Sequence, residues 1–232
     1  MAIEVFNRYE YKYIITPQQY EQLEKILVKE LELDDYCNKN TNYNIINYYV
    51  DTLNHQMIRD SLDKPLYKQK LRIRTYEKIT NDKDFVYFEL KKKYKGLVNK
   101  RRCQMKYHEA IDLIYKNKLP KYQYYMNQQI LKEIYYVLQR DTYEIKSEIS
   151  YSRIAYFSQD KQLRISFDFD IESTRLTYLE ANHMLMEIKT PGAIPLWLVN
   201  ILNDLKIQSQ SFSKYGLDFK EKLRREVLWM NY

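Results

Sequence analysis

Charged and apolar residues alternate with period two in one short segment after another along this chain. In "RYEYKYII" Arg8, Glu10 and Lys12 alternate with Tyr9, Tyr11 and Tyr13. A β-strand turns successive side chains to opposite faces, so the three charges share one face and the tyrosines the other. The pattern recurs. In "LRIR" Arg72 and Arg74 oppose Leu71 and Ile73; in "YFELKKK" Glu89, Lys91 and Lys93 oppose Phe88 and Leu90. In "NKRRCQMK" Lys100, Arg102 and Gln104 oppose Arg101, Cys103 and Met105. In "YSRIAY" Arg153 opposes Ile154, and "LRISFDFDI" sets Arg164, Ser166, Asp168 and Asp170 against Leu163, Ile165, Phe167 and Phe169. In "LMEIK" Glu187 and Lys189 oppose Met186 and Ile188.

Helical patterns lie between groups of these strands. "TPQQYEQLEKILVKEL" offers Thr16 as N-cap, Pro17 in the first turn, and one apolar stripe of Tyr20, Leu23, Leu27 and Leu31. "LNHQMIRDSL" reads as a short helix or turn, and a short amphipathic helix is predicted from Glu109. Longer helices are predicted over about Tyr122–Leu138, after Pro195, and over about Phe219–Met230. No repeat or low-complexity linker divides the sequence, so residues 1–232 are expected to form one α+β domain with antiparallel strands.

A solvated sheet face ordinarily mixes Thr, Ser, Gln, Glu and Lys. Here Arg and Lys dominate it, with a few carboxylates. Like charges opposite one another destabilise a sheet, so such a face calls for an anion to neutralise it. A closed antiparallel barrel lined with charge and wrapped by helices satisfies both faces. The formal net charge of +7 favours an anionic partner without naming it. With only 3 Gly and 5 Pro the chain is not disordered in composition, and it holds no Gly-rich phosphate loop or dinucleotide fingerprint. Cys37 and Cys103 make neither a metal-spaced pair nor a disulfide framework, which suits a reducing compartment. "MAIEVFNRYE" lacks a leader's apolar core, and no run approaches the roughly 20 apolar residues of a membrane span. A cytoplasmic location is the expectation.

At these residues the sequence resembles the vacuolar transporter chaperone (VTC) domain, the polyphosphate polymerase branch of the triphosphate tunnel metalloenzymes. The segments that carry the likeness are "RYEYKY", "YYVDT", "LRIR", "FELKKK" followed by "KRR", "YSRIAY" with "LRISFDFDI", "LMEIKTPGAIPLWL" and "SKY", in that order over nearly the whole chain. The related CYTH proteins open with an E-x-E-x-K strand. Arg8 stands where that pattern has its first glutamate, which favours the VTC branch.

The resemblance implies an eight-stranded antiparallel β tunnel with a charged lumen. It also implies transfer of the γ-phosphoryl group of ATP, or another triphosphate, to inorganic polyphosphate. Lys12, Arg72, Arg74, Lys91, Lys100, Arg153, Arg164 and Lys214 resemble the family's phosphate-binding residues. Of these, Arg72, Arg74, Lys12 and Arg164 are the candidates for neutralising charge on the transferring group. Arg8, Lys93, Arg102 and Lys189 share the charged faces and join the phosphate-binding candidates, with Lys100, Arg101 and Arg102 as rivals for one role. Glu187 resembles the metal carboxylate, with Glu10 and Glu89 as helpers, for Mn²⁺ or Mg²⁺.

Phosphoryl transfer is mainly positioning and charge neutralisation, so the absence of a Ser/His/Asp or Cys/His set is no objection. A tripolyphosphatase or a non-catalytic polyphosphate or nucleotide sensor would use the same residues. An RNA-binding module would want aromatics on the basic face, whereas "RYEYKY" puts them on the other, so no nucleic-acid partner is expected. With no membrane segment of its own, any export of polymer would need a separate membrane partner.

Overall fold

The computed structural model describes residues 5–37, 42–180 and 182–230. The first four residues, on which the leader reading partly rests, lie outside them. The fold is α+β, with antiparallel strands and six helices among the described residues. By its contacts the chain divides into two units, Met1–Asn7 with Ile45–Ile149, and Arg8–Asn44 with Ser150–Tyr232.

Strands β1 (Val5–Ile15), β3 (Tyr43–Thr52) and β7 (Tyr143–Phe157) have residues in both units. The unit around Ile45–Ile149 also holds β4 (Tyr67–Thr75), β5 (Phe85–Tyr94) and β6 (Leu97–Lys106), in the order β7-β3-β4-β5-β6. Residues Lys95 (φ 45°) and Gly96 (φ 89°) both take the left-handed conformation between β5 and β6. That is the geometry of a two-residue hairpin turn whose twist matches its strands. It sets the register in which Phe88 faces Cys103 and Glu89 faces Arg102. On one face Leu71, Ile73, Phe88, Leu90, Cys103 and Met105 are buried. They are covered by α2 (Gln56–Leu62), α3 (Tyr107–Tyr115) and α4 (Gln128–Leu138), which contribute Met57, Ala110, Leu113, Ile130 and Ile134. Burying apolar area of this kind at about 25 cal/mol per Å² is what holds helices to sheet.

The second unit holds β2 (Glu32–Leu33), β8 (Arg164–Ser173) and β9 (Met184–Thr190), with neighbours running β2-β7-β8-β9-β1. Its core gathers Tyr13, Ile15, Ile165, Phe167, Met186 and Ile188 from the strands. Leu23, Leu27, Leu198 and Leu202 join them from α1 (Pro17–Glu30) and α5 (Leu196–Asp204), and α6 (Lys214–Met230) closes the chain. Helix α1 starts as its sequence predicts. The Thr16 hydroxyl accepts from the Gln19 amide, while the Gln19 side chain accepts from the Thr16 amide.

Several boundaries differ from the sequence reading for local reasons. Helix α4 begins at Gln128 rather than near Tyr122, because Asn127 caps it by accepting from the Ile130 amide. Helix α3 begins at Tyr107, two residues before Glu109, whose carboxylate reaches back to the Lys106 amide. Helix α6 begins at Lys214, with the Ser213 hydroxyl accepting from the Gly216 amide. The described residues hold nine strands rather than the eight expected; the shortest, β2, has two residues and shows no period. Within β8, Asp170 has φ 50° and is exposed, so it leaves the face of Asp168.

Candidate functional site

Each unit concentrates buried charge on the strand face opposite its core. In the unit around Ile45–Ile149 the centre is Glu89 on β5, fully buried. Arg72, directly across on β4, donates from Nε to Glu89 Oε2 at 2.7 Å. Arg74 Nε lies 3.8 Å from the same oxygen, and Lys100 Nζ lies 2.5 Å from Oε1. Burial works against ionisation of Glu89, but Arg74, Lys100 and Arg72 overcome it and hold its pKa well below the usual carboxylate range. Lys100 is drawn well below the ordinary lysine value by burial and by the two arginines, with Glu89 opposing. Three cations thus surround one buried carboxylate.

The face extends beyond these residues. Lys70 pairs in register with Lys91, and Lys68 with Lys93; Lys91 also faces Lys100 on β6. Burial first, then Lys93, Lys64 and Lys91, lowers the Lys68 pKa. Lys68 and Lys70 were not among the sequence candidates, although extending the Arg72/Arg74 alternation backwards would have reached them. Arg102 sits over the Tyr87 ring at 4.7 Å, whereas Arg101 turns to the other face and pairs with Glu133 of α4 at 3.0 Å. Lys100 and Arg102 therefore share the charged face, as period two requires.

In the second unit the cross-strand register assembles the charges. Glu187 on β9 faces Lys12 on β1 and Ser166 on β8, and Lys189 faces Glu10 and Arg164. Lys189 Nζ donates to Glu187 Oε2 at 2.7 Å; Lys12 Nζ is 3.4 Å from Oε1, and Arg153 Nη2 is 3.8 Å from Oε2. Asp168 takes a bidentate grip from Arg153 at 2.6 and 2.8 Å and a third bond from Lys214 at 2.6 Å. The Tyr151 ring lies 4.3 Å from Lys214 Nζ and 5.3 Å from the Arg153 guanidinium carbon. Arg164 donates to Asp34 at 3.1 Å and to the Tyr43 hydroxyl at 2.9 Å. Arg8 donates to the Lys161 carbonyl at 3.4 Å.

Burial opposes the Glu187 charge, yet Lys189, Lys12, Lys214 and Arg153 hold its pKa well below normal. Asp168 is likewise lowered by Arg153 and Lys214 against burial and the nearby Glu187. Burial, only partly offset by Glu187, brings Lys189 down to about 8.

Among the sequence candidates the structure thus brings together Arg72, Arg74, Lys100 and Glu89 in one cluster. Lys12, Arg153, Lys189, Lys214, Glu187 and, through register, Glu10 and Arg164 gather in the other. Glu89 belongs to a different unit from Glu187 and Glu10. Asp34, Tyr43, Tyr151 and Asn47 were not anticipated, because their partners are far away in sequence.

Among the described residues no group of three or more His, Cys, Asp and Glu is arranged to hold a metal ion. A hard divalent cation needs less than that when phosphate and water complete its shell, one or two carboxylates being enough. Glu187 accepts from Lys189 and Glu10 lies opposite that lysine in register, so both carboxylates stand beside the same ammonium.

A family model for the VTC domain matches residues 7–220. No curated protein matches the sequence. A Bacillus halodurans protein described as a candidate adenylate cyclase is similar in structure. It is 16% identical, with a TM-score of 0.57, over 91% of this chain and 96% of its own. That likeness shows the fold. A candidate adenylate cyclase of Vibrio parahaemolyticus (13% identity, TM-score 0.47, covering 91% and 97%) and a protein of Pyrococcus horikoshii OT3 (14%, 0.46, 92% and 99%) are more distant. No described helix is long and apolar enough to cross a membrane.

Proposed function

The chain belongs to the VTC domain family, of the triphosphate-tunnel fold, and on that premise we propose that it is a polyphosphate polymerase. The reaction would move the γ-phosphoryl group of ATP to the terminal oxygen of a polyphosphate chain. A new P–O bond forms there as the bond to the β–γ bridging oxygen breaks, releasing ADP. The observation that supports this reading best is the buried cluster around Glu187 and Asp168. There Lys12, Arg153, Lys189 and Lys214, paired with Glu187 and Asp168, would supply cations for phosphate oxygens.

Arginines offer a planar fork to phosphate oxygens and lysines a mobile point charge, so the two together can hold a polymer that shifts by one unit per turnover. Lys12 and Arg164 of the second unit would neutralise charge growing on the transferring group, while Arg72 and Arg74 of the other unit would hold phosphate. Glu187 and Glu10 would hold Mn²⁺ or Mg²⁺. When bound, that ion would offset negative charge between the phosphates.

A second reading rests on a specific observation. Glu89, Asp168 and Glu187 each already face two or more cations, an arrangement that would also serve a sensor that binds polyphosphate without turning over. Incubation with ATP and Mn²⁺ or Mg²⁺, followed by phosphorus NMR, separates the readings. Internal chain phosphates are expected. Free orthophosphate in their place would mean a tripolyphosphatase, and intact ATP with bound polyphosphate would mean a sensor.

A further expected outcome concerns Arg72. Removing Arg72 and Arg74 together would strip buried Glu89 of two of its cations and confound binding with folding, so the single change is the cleaner one. Arg72→Ala is expected to weaken tripolyphosphate binding about tenfold or more, the scale of one hydrogen bond to a charged group. Calorimetric titration on protein shown to be folded by circular dichroism measures it. Unchanged affinity would remove Arg72 from the site.

A further inference from the structure

Asn47 lies on β3 opposite Arg74, and its side chain is fully buried. Arg74 Nε donates to Asn47 Oδ1 at 2.9 Å. A guanidinium only donates, so this bond fixes which way the amide stands: oxygen toward Arg74, and the NH₂ group away from it. That NH₂ has no hydrogen-bond partner among the described residues. Buried donors are almost always paired, and one left open marks a place where an acceptor belongs.

The surrounding chemistry limits what the acceptor can be. Arg72, Arg74 and Lys100 carry donors only. Glu89, the carboxylate they surround, already faces all three. Three cations and the open Asn47 donor thus stand on one face around a single carboxylate. An oxyanion would accept from the amide and meet the cations together.

We infer that the Asn47 amide is a binding residue for the phosphate group, donating from Nδ2 to a non-bridging oxygen while Arg74 holds the amide in orientation. This rests on the reading of the cluster as a triphosphate or polyphosphate site. A neutral amide suits the position. It adds a directed hydrogen bond without a fourth positive charge to repel Arg72, Arg74 and Lys100.

The test is a double-mutant cycle read by calorimetric titration with inorganic tripolyphosphate, each variant first checked by thermal unfolding. Asn47→Ala is expected to lose about tenfold in affinity, and Asn47→Ser, which keeps a donor, to recover most of it. Asn47→Leu fills the space without a donor and replaces the alanine variant should that one fail to fold. The loss at Asn47 is expected to persist in an Arg74→Ala background, since the amide itself touches the anion. If the loss disappears there, Asn47 acts only by placing Arg74 and the inference is overturned. Wild-type affinity in Asn47→Ala or Asn47→Leu overturns it as well, the amide then being met by water alone. A wild-type protein that does not bind tripolyphosphate overturns the underlying site reading. Binding that ignores Asn47 overturns this inference and leaves that reading standing.

Discussion

Asp168→Asn is expected to cost the fold about 3–5 kcal/mol, the usual result of removing one partner from a buried ion pair. Asp168 is fully buried and is gripped by Arg153 and Lys214, themselves almost wholly buried. Asparagine keeps the size but leaves two cations with half the acceptor capacity and only the more distant Glu187 to balance them. Denaturant unfolding should show a lower midpoint with an unchanged slope.

The pH dependence carries an independent signature. Burial tends to raise the Asp168 pKa, but Arg153 and Lys214 hold it below its unfolded value, and Glu187 and Glu89 are each held well below theirs by their own cations. A carboxylate depressed in the folded state contributes stability that is complete above its unfolded pKa, about pH 4, and lost as pH falls through the folded value. The wild type should therefore lose stability on acidification below about pH 4, and Asp168→Asn should lose it less steeply. A mutant with wild-type stability at neutral pH would show that Arg153 and Lys214 do not depend on Asp168.

Glu187→Gln is expected to reduce metal-dependent consumption of ATP by about a hundredfold or more, the scale seen when one preorganised charge-stabilising group is removed. Glutamine retains the volume between Lys12 and Lys189 but not the anionic oxygens a hard cation requires. Metal-free polyphosphate affinity should persist or rise, because Lys12, Lys189 and Arg153 are released from an internal competitor. Turnover against metal concentration and polyphosphate binding without metal must be measured on the same preparations. A mutant with near-normal metal-dependent turnover would reduce Glu187 to an ion-pair partner of its neighbouring lysines.

What could be read from the sequence follows the range of the forces involved. Alternation is a local property of extended backbone, so the shared faces of Arg72 with Arg74 and of Glu187 with Lys189 are visible in four or five residues. The same alternation failed at Asp170, whose left-handed backbone turns the strand. Capping at Thr16 is local too, and was legible; the start of α4 was missed because the hydrophobic pattern runs on upstream of its asparagine cap. Register and ion pairing are not local. Nothing near Arg164 indicates Asp34, 130 positions away, and nothing near Asn47 indicates Arg74. Lys214 lay in "SKY", outside any strand pattern. Its contacts with Asp168 and the Tyr151 ring come from segments that only the fold brings together.

The discontinuity of the second unit bears on how the protein is made. Its basic cluster draws Lys12 from β1, Arg153 from β7, Lys189 from β9 and Lys214 from α6. Lys12 even donates to the carbonyl of Phe212, 200 residues on. A chain emerging from the ribosome can complete the unit around Ile45–Ile149 well before Lys214 has been polymerised. Glu187 and Phe212, which pair with Lys12, arrive late, and loops of this length close slowly. Until then Lys12 stands in solvent beside ribosomal RNA, a concentrated polyanion. Folding of the second unit should therefore stay sensitive to ionic strength from the appearance of Lys12 until Glu187 and Phe212 have been made.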